Sequence, residues 1–474
     1  MFKKTKANLT EGPIFVPMLM FVLPIMITGI LQILYNMADN IVVGRFSGDP
    51  TALAAVGSTS SLTNLVLNFL MGITSGAGVV VAQSYGAKDD RALSRAVHTA
   101  MTFSLFGGIL FSAIGLLISS PALTAMGTKP EILDNAVLYM RIICAGIPAS
   151  AVYNFGATIL RSVGDSKTPL IILSSSGLVN VVLNLFFVIA LDMSVAGVAL
   201  ATIISQVISA IAIVLVLNKR KDKNYGLHFS KLGIEKSMIA RILRFGVPAG
   251  IQSSLFGISN VIITTAANAF TTAVISAKTI AGNIDGLLYT ALNSYMHASM
   301  TFTGQNYGAK KVDRIKKSTL YGIVQVLSIG TAIALLMLTF SRELSTMYID
   351  KAAAPEFNEE VLDYSVKILA LMLPTYALCG TMETLAGSLR GLGYSYTPMV
   401  VNLVGSCGMR ILWVFVFFPL DAFHSITGLY LIYPISWILT STAHLIILSF
   451  AWRKLRRQFS PDSSNQELIE SKKL

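Results

Sequence analysis

The sequence predicts an all-α membrane protein, with twelve transmembrane helices in two six-helix lobes. Three observations predict it. Hydrophobic residues make up 54% of the chain and charged ones only 13%, against roughly 25% charged in a soluble domain. The apolar residues gather into long runs joined by short basic loops, each run long enough for a bilayer core of about 30 Å. The chain also repeats its own landmarks at a nearly constant interval. A net charge of +12 would suggest nucleic acid in a soluble protein. Here the basic residues lie between apolar runs, so the bilayer is the expected partner and nucleic acid is not.

The first run sets the question. From Ile14 to Val43 the only charge is Asp39. At 1.5 Å per residue, thirty helical residues reach about 45 Å, which predicts a long first helix loosened by Pro17, Pro24 and Gly29. Lys3, Lys4 and Lys6 precede it as in a signal peptide. The run is too long for one and lacks a small-x-small cleavage site, so it reads as an uncleaved membrane helix. An ionisable group within a span is costly and usually faces a cavity or a partner. The competing reading is an acid at the helix end, since Gly44 is only five residues on.

The first six spans are expected at 14–44, 52–82, 97–119, 132–158, 169–191 and 194–217, and the second six at 240–265, 273–303, 318–341, 360–386, 398–419 and 425–452. The domains follow: an N-lobe (1–218, helices 1–6), a basic linker (219–236), a C-lobe (237–453, helices 7–12) and a charged tail (454–474) expected to be disordered. If the N-terminus, alternate loops and C-terminus share one side, that side holds 28 of the 36 Lys and Arg. This asymmetry predicts a multi-pass plasma-membrane protein with both termini cytoplasmic. Cys144, Cys379 and Cys407 all lie in apolar segments without metal-ligand spacing, and read as small buried residues.

The repeat is specific. Gln83-Ser-Tyr-Gly-Ala-Lys88 returns as Gln305-Asn-Tyr-Gly-Ala-Lys310, and Arg161-Ser-Val-Gly-Asp-Ser-Lys-Thr-Pro169 as Arg390-Gly-Leu-Gly-Tyr-Ser-Tyr-Thr-Pro398. Pro24 and Pro148 have counterparts in Pro248 and Pro374. Six spans per half predict parallel repeats about an axis along the membrane normal, with a site between them.

Twelve spans, two six-helix halves and both paired loops make the chain resemble the multidrug and toxic compound extrusion (MATE) family, from about Pro13 to Trp452. The resemblance implies a secondary antiporter that exports amphiphilic, often cationic organic compounds by alternating access, driven by inward H⁺ or Na⁺. It implies no cofactor beyond that ion, small organic substrates, and a monomer. The closer match is to the DinF-like branch, which implies coupling through Asp39 with Tyr139 on helix 4, Asn180 on helix 5 and Thr202 on helix 6. Asn184 departs, because that branch carries an aspartate there. The NorM-like branch carries acids at positions falling near Phe256 and Cys379, so its cation site is not expected here.

The residues support further candidates on their own. Asn180 and Asn184 are four apart and share a helix face, either as interhelical glue or as a cage for Asp39. Asp285 and Arg410 fall at matching depth in spans eight and eleven. Glu383 stands seven residues before Arg390, as Asn154 stands seven before Arg161. Asp285, Glu383 and Arg410 therefore read as a buried charged cluster, functional or purely a structural salt bridge, while Lys278 snorkels from the end of span eight. Asn154, Gln252 and Met37 are candidates to line the substrate cavity. Met18, Met20, Met26 and Met37 suit either a promiscuous surface or ordinary packing. His98, His297 and His444 are isolated, with no ligand spacing. No Gly-Lys dipeptide occurs, which excludes a Walker A loop, and no nucleophile or zinc motif is present, so the chain does not read as an enzyme. Two other functions compete. A lipid-linked oligosaccharide flippase would need several cavity cations, whereas, beyond Arg241 and Arg244 at the start of span seven, only Arg141, Lys278, Lys367 and Arg410 fall within spans. A non-transporting scaffold or receptor would leave Asp39 unexplained.

Overall fold

The computed structural model describes residues 9–349 and 355–459. Among them there is no β-strand, and short connections join twelve long helices. The first six are α1 (Phe15–Phe46), α2 (Ala52–Gly86), α3 (Asp90–Ala125), α4 (Pro130–Ser162), α5 (Lys167–Ala190) and α6 (Ser194–Lys219). The second six are α7 (Lys236–Ala267), α8 (Thr272–Gly308), α9 (Val312–Thr339), α10 (Pro355–Gly391), α11 (Tyr396–Phe417) and α12 (Ile426–Gln458). Most helices run a turn or more past the apolar stretch that predicted them. The last continues to Gln458, and most of the expected tail, residues 460–474, lies outside the described residues, as do Lys3, Lys4, Lys6 and Lys351.

Eleven of the twelve are long and apolar enough to cross a membrane. The exception is α8, expected as a span over 273–303. It has 37 residues, ample length, but carries Lys278, Asp285, His297 and many Ser, Thr and Asn. Most of its C-terminal half is buried within the protein.

The helices pack into two compact units, and the boundary is not at the linker. One unit comprises Leu23–Tyr85 and Asp89–Ser254; the other comprises residues 9–22, Gly86–Lys88 and the chain from Leu255 onward. The divisions fall inside helices, so that α1 and α7 each belong partly to both units. In the first unit the early part of α7 lies on α2 at a crossing of small residues: a Cβ on Gly72 would strike the Gly250 backbone, and one on Gly76 the Gly246 backbone. Such stripes let helix backbones approach where no water drives them together. In the second unit the start of α1 packs on α9 and α8. Phe15 meets Tyr321 edge-on at 5.8 Å and Phe21 meets Phe302 at 5.9 Å. Gln325 Nε2 donates to the Phe15 carbonyl at 2.6 Å.

The repeat is preserved in backbone geometry. Lys88 and Lys310 both adopt left-handed conformations, with φ of 56° and 57°; Gly164 and Gly393 do so at 94° and 92°. At each site the next residue's N–H closes a bond to the carbonyl five residues back: Asp89 to Ser84, Lys311 to Asn306, Asp165 to Leu160 and Tyr394 to Leu389. This is the Schellman closure, which satisfies the last free carbonyls of a helix. The paired motifs are therefore helix stops at which the chain reverses.

The turn after α4 is tied to the end of α6. Asp165 accepts hydrogen bonds from the Thr168 hydroxyl at 2.6 Å, the Thr168 amide at 3.0 Å and Arg220 Nη1 at 2.8 Å. Burial pushes the Asp165 carboxyl up, but these donors and the guanidinium outweigh it and hold it below the usual carboxylate range.

Candidate functional site

Asp39 is half-buried on α1 within the first unit, and three helices meet it there. Asn184 on α5 donates its Nδ2–H to Asp39 Oδ1. Thr202 on α6 has its hydroxyl 3.4 Å from Asp39 Oδ2 and 3.0 Å from the Val198 carbonyl, so one proton serves two acceptors. Asn180, one turn before Asn184, links the two sides. Its Oδ1 lies 3.4 Å from Asn184 Nδ2 and its Nδ2 lies 3.5 Å from Thr202 Oγ1. Tyr139 on α4 makes no direct hydrogen bond to Asp39 but stands close enough to feel its charge. The other four residues named for this place thus gather around the Asp39 carboxylate. α1 continues to Phe46, seven residues past Asp39.

The local reason is spacing. Asn180 and Asn184 are one turn apart and buried, at 4% and 0% exposed. Gly177, a turn earlier, lets the Tyr35 ring lie flat on α5, where a Cβ would enter the ring. Tyr35 precedes Asp39 by one turn and donates to the Ser174 carbonyl at 3.3 Å. The Tyr35–Gly177 contact sets α1 against α5 so that Asp39 reaches Asn184. Directly after Asn184 and Leu185, α5 widens into a π-helical turn, Phe186–Ala190, a feature frequent at functional sites. The donors to Asp39 are neutral, so no second acid or base shares its charge. Asn184 Oδ1 is buried beside it with no hydrogen-bond partner.

In the second unit the expected cluster takes a different form. Asp285, Glu383 and Arg410 form no ion pair with one another. Asp285 instead accepts from the Tyr376 hydroxyl on α10. Arg410 donates from Nη1 to Asn260 Oδ1 on α7 at 2.9 Å and lies over the Tyr433 ring at 4.4 Å. Glu383 is buried at 6% exposed and interacts with the charge of Arg390. Matching depth placed Asp285 and Arg410 at one level but could not fix their directions. Arg410 sits in the single α-helical turn Met409–Leu412 between two π-helical turns, Leu403–Gly408 and Trp413–Phe417, which shift the register of α11. Tyr376, Asn260 and Tyr433 were missed; polar atoms inside apolar spans were the available signal.

Asn154 donates to Ser150 O and Oγ on its own helix, at 2.8 and 3.3 Å. Gln252 is buried on α7, whereas Met37 is exposed on α1. Met18 and Met26 are core residues and Met20 is exposed, which favours packing for the methionines as a set. His98 bonds within the first unit to the His228 amide, and among the described residues no His, Cys, Asp and Glu group has metal-binding geometry.

Eleven helices long and apolar enough to cross a membrane, one of them carrying a half-buried carboxylate held by neutral donors, define a multi-span membrane protein with an ionisable site. The chain belongs to the MatE family, whose model matches residues 24–186 and 248–416. The two matched segments begin at Pro24 and Pro248, so each covers one copy of the repeat. Among curated relatives, the chain is 27% identical to "Probable multidrug resistance protein YoeA" of Bacillus subtilis over 95% of this chain and 96% of that protein. It is 24% identical to "Probable multidrug resistance protein NorM" of Thermotoga maritima over 83% of each. Among solved structures, a MATE protein in a bent conformation superposes with a TM-score of 0.86 at 20% identity, over 97% of this chain and all of that one. A MOP superfamily transporter from Pyrococcus furiosus gives 0.87 at 20% identity, over 96% of this chain and all of that one. These likenesses establish the twelve-helix fold and a multidrug efflux family.

Proposed function

We propose that this chain is a monomeric plasma-membrane antiporter that exports amphiphilic, often cationic organic compounds by alternating access, driven by inward H⁺ or Na⁺ acting at Asp39. The observation that carries this is the Asp39 cage: a carboxylate within a membrane helix, contacted by neutral donors from two other helices. Ionised, Asp39 accepts from Asn184 and Thr202. Protonated, it becomes a donor on one oxygen, and at least one of those bonds has to rearrange. Asn184 Oδ1, buried and unpartnered, is the acceptor at hand for that proton. For Na⁺, the same oxygens, with those of Asn180 and Thr202, make the hard donor set such a cation takes. Either ion cancels the charge that ties α1 to α5 and α6, and a charge change at a bistable contact is how such switches act. Pro24 in α1 and the π turn in α5 are where those helices can bend.

The flippase reading lacks its cations. Of Arg141, Lys278, Lys367 and Arg410 only Arg410 is buried, and Asn260 and Tyr433 engage it, while the buried Arg390 near the end of α10 faces the charge of Glu383. The positive-inside asymmetry supports cytoplasmic termini. The test is efflux of a cationic dye from everted vesicles, with a proton gradient and a sodium gradient imposed separately. Export under one of them supports the reading. Export under neither, with folded protein present, overturns it.

A further inference from the structure

The two copies of the repeated helix stop share a backbone but not a charge. From Lys310 to Lys317 five basic residues meet one acid, Asp313. In the matching stretch from Lys88 to Arg95 three basic residues meet two acids, Asp89 and Asp90, and Arg95 also pairs with Glu235 at 3.1 Å. The end of α12 adds Arg453, Lys454, Arg456 and Arg457 to the second copy's side.

Within the second unit this excess surrounds a cavity of about 470 Å³, lined by Lys310, Lys311, Arg314 and Arg456 together with Asp313 and Phe459. The cations are held in place largely by neutral groups. Arg314 donates to the carbonyls of Leu9, Glu11 and Gly12, and Lys311 to that of Thr10 at 2.9 Å. Carbonyls orient these side chains but carry no net charge. The Lys310 ammonium lies 5.9 Å from the centre of the Phe459 ring. The acids present are weakly placed: Asp313 pairs with Arg456 at 3.1 Å, but both side chains are more than three-quarters exposed, and Glu11 is 4.0 Å from Lys311. The first turn of α9 opens onto the same space, adding the positive end of its dipole.

The surroundings identify the anion. Just beyond the charged residues, α9 and α12 become apolar and exposed, at Leu320 and Val324 on one and Ile446 and Phe450 on the other. At the junction Lys316 lies over Trp452 and Arg453 over Phe450, each at 6.0 Å. Aromatic rings with basic side chains mark the headgroup level of a bilayer. We infer that this cavity binds the headgroup of an anionic phospholipid, its phosphodiester among Lys310, Lys311, Arg314 and Arg456 and its acyl chains along α9 and α12. A free anion would gain nothing from the apolar flank.

The test is native mass spectrometry of the full-length protein in neutral detergent, titrated with phosphatidylglycerol or phosphatidylcholine, with inorganic phosphate as competitor. Each basic residue near an anionic surface is worth about fivefold in affinity, so Lys310→Gln with Arg456→Gln should weaken phosphatidylglycerol binding by about 30-fold. Lys88→Gln with Arg91→Gln, in the other copy, should leave it unchanged, and Lys310→Arg with Arg456→Lys should retain it. Equal retention of the two lipids overturns the inference, as does unchanged phosphatidylglycerol affinity in the neutralised variant. Displacement by inorganic phosphate at equal concentration overturns it in favour of a free-anion site. Should the neutralised variant fail to fold, the wild type still decides: binding that does not weaken as salt rises to about 0.5 M excludes an electrostatic headgroup site.

Discussion

Gly177→Ala should be destabilising in this protein and stabilising once Tyr35 is trimmed. The added Cβ enters the space of the Tyr35 ring. To make room, the ring gives up its bond to the Ser174 carbonyl, which costs about 0.5–1.5 kcal/mol, or the helices separate, and overpacking of that kind costs about 1–3 kcal/mol. Against this, alanine is the better helix former by about 0.5–1 kcal/mol. The net in the native background is a loss of about 1–2 kcal/mol. With Tyr35→Ala the obstacle is gone and only the helix gain remains, so the sign reverses, with a coupling of about 2 kcal/mol. Thermal unfolding in detergent reads the sign for all four members of the cycle, and dye efflux reads the consequence. Gly177→Ala alone should lower export, because it moves Asp39 off Asn184. A Gly177→Ala variant that raises the melting temperature equally in both backgrounds would refute the claim that this contact sets α1 against α5.

Arg410 should couple more strongly to Asn260 than to Asp285. In double-mutant cycles by thermal shift, Arg410→Ala with Asn260→Ala should show about 1.5–3 kcal/mol of interaction, and a stronger coupling of Arg410 to Asp285 would restore the salt bridge that the geometry lacks. Asp165 gives a pH prediction. Its carboxyl is held low in the folded state, so its stabilising contribution is complete above the unfolded value of about 4 and is lost as pH falls through the folded one. Asp165→Asn should lower stability at neutral pH and flatten the acid limb of the stability profile below about pH 4; an unchanged acid limb would show that the tie to Arg220 carries no weight.

How much was legible follows from what each signal depends on. Helix number and the duplication rest on apolar length and on helix stops, both local, and the left-handed Lys88, Lys310, Gly164 and Gly393 show the same turns built twice. The Asp39 cage was legible because Asn180 and Asn184 share a face by periodicity and the resemblance supplied Tyr139 and Thr202. Asp285 and Arg410 do not pair directly, because rise gives depth but not azimuth and the π turns on either side of Arg410 change its azimuth without changing its sequence position, yet both stay within charge range of Cys379, as Glu383 does. The placing of the unit boundaries inside helices has the same origin: α1 and α7 are continuous in sequence, and only their packing, at Gly246 and Gly250 for α7 and at Phe15 and Phe21 for α1, assigns their halves. The charge excess around Lys310 was countable in the sequence, but the cavity that gives it a use was not.

The claim that Asp39 couples the ion to export is tested most directly by Asp39→Asn. The amide keeps the size of the side chain and fixes its neutral state. Wild type and variant, matched for amount and melting temperature, are compared for cationic-dye efflux in everted vesicles under separately imposed proton and sodium gradients. The account predicts that the variant loses gradient-driven efflux by at least about tenfold under whichever ion drives the wild type, since occupancy by that ion no longer changes the charge at the cage. Efflux by Asp39→Asn at the wild-type rate, under the same gradient, would contradict it.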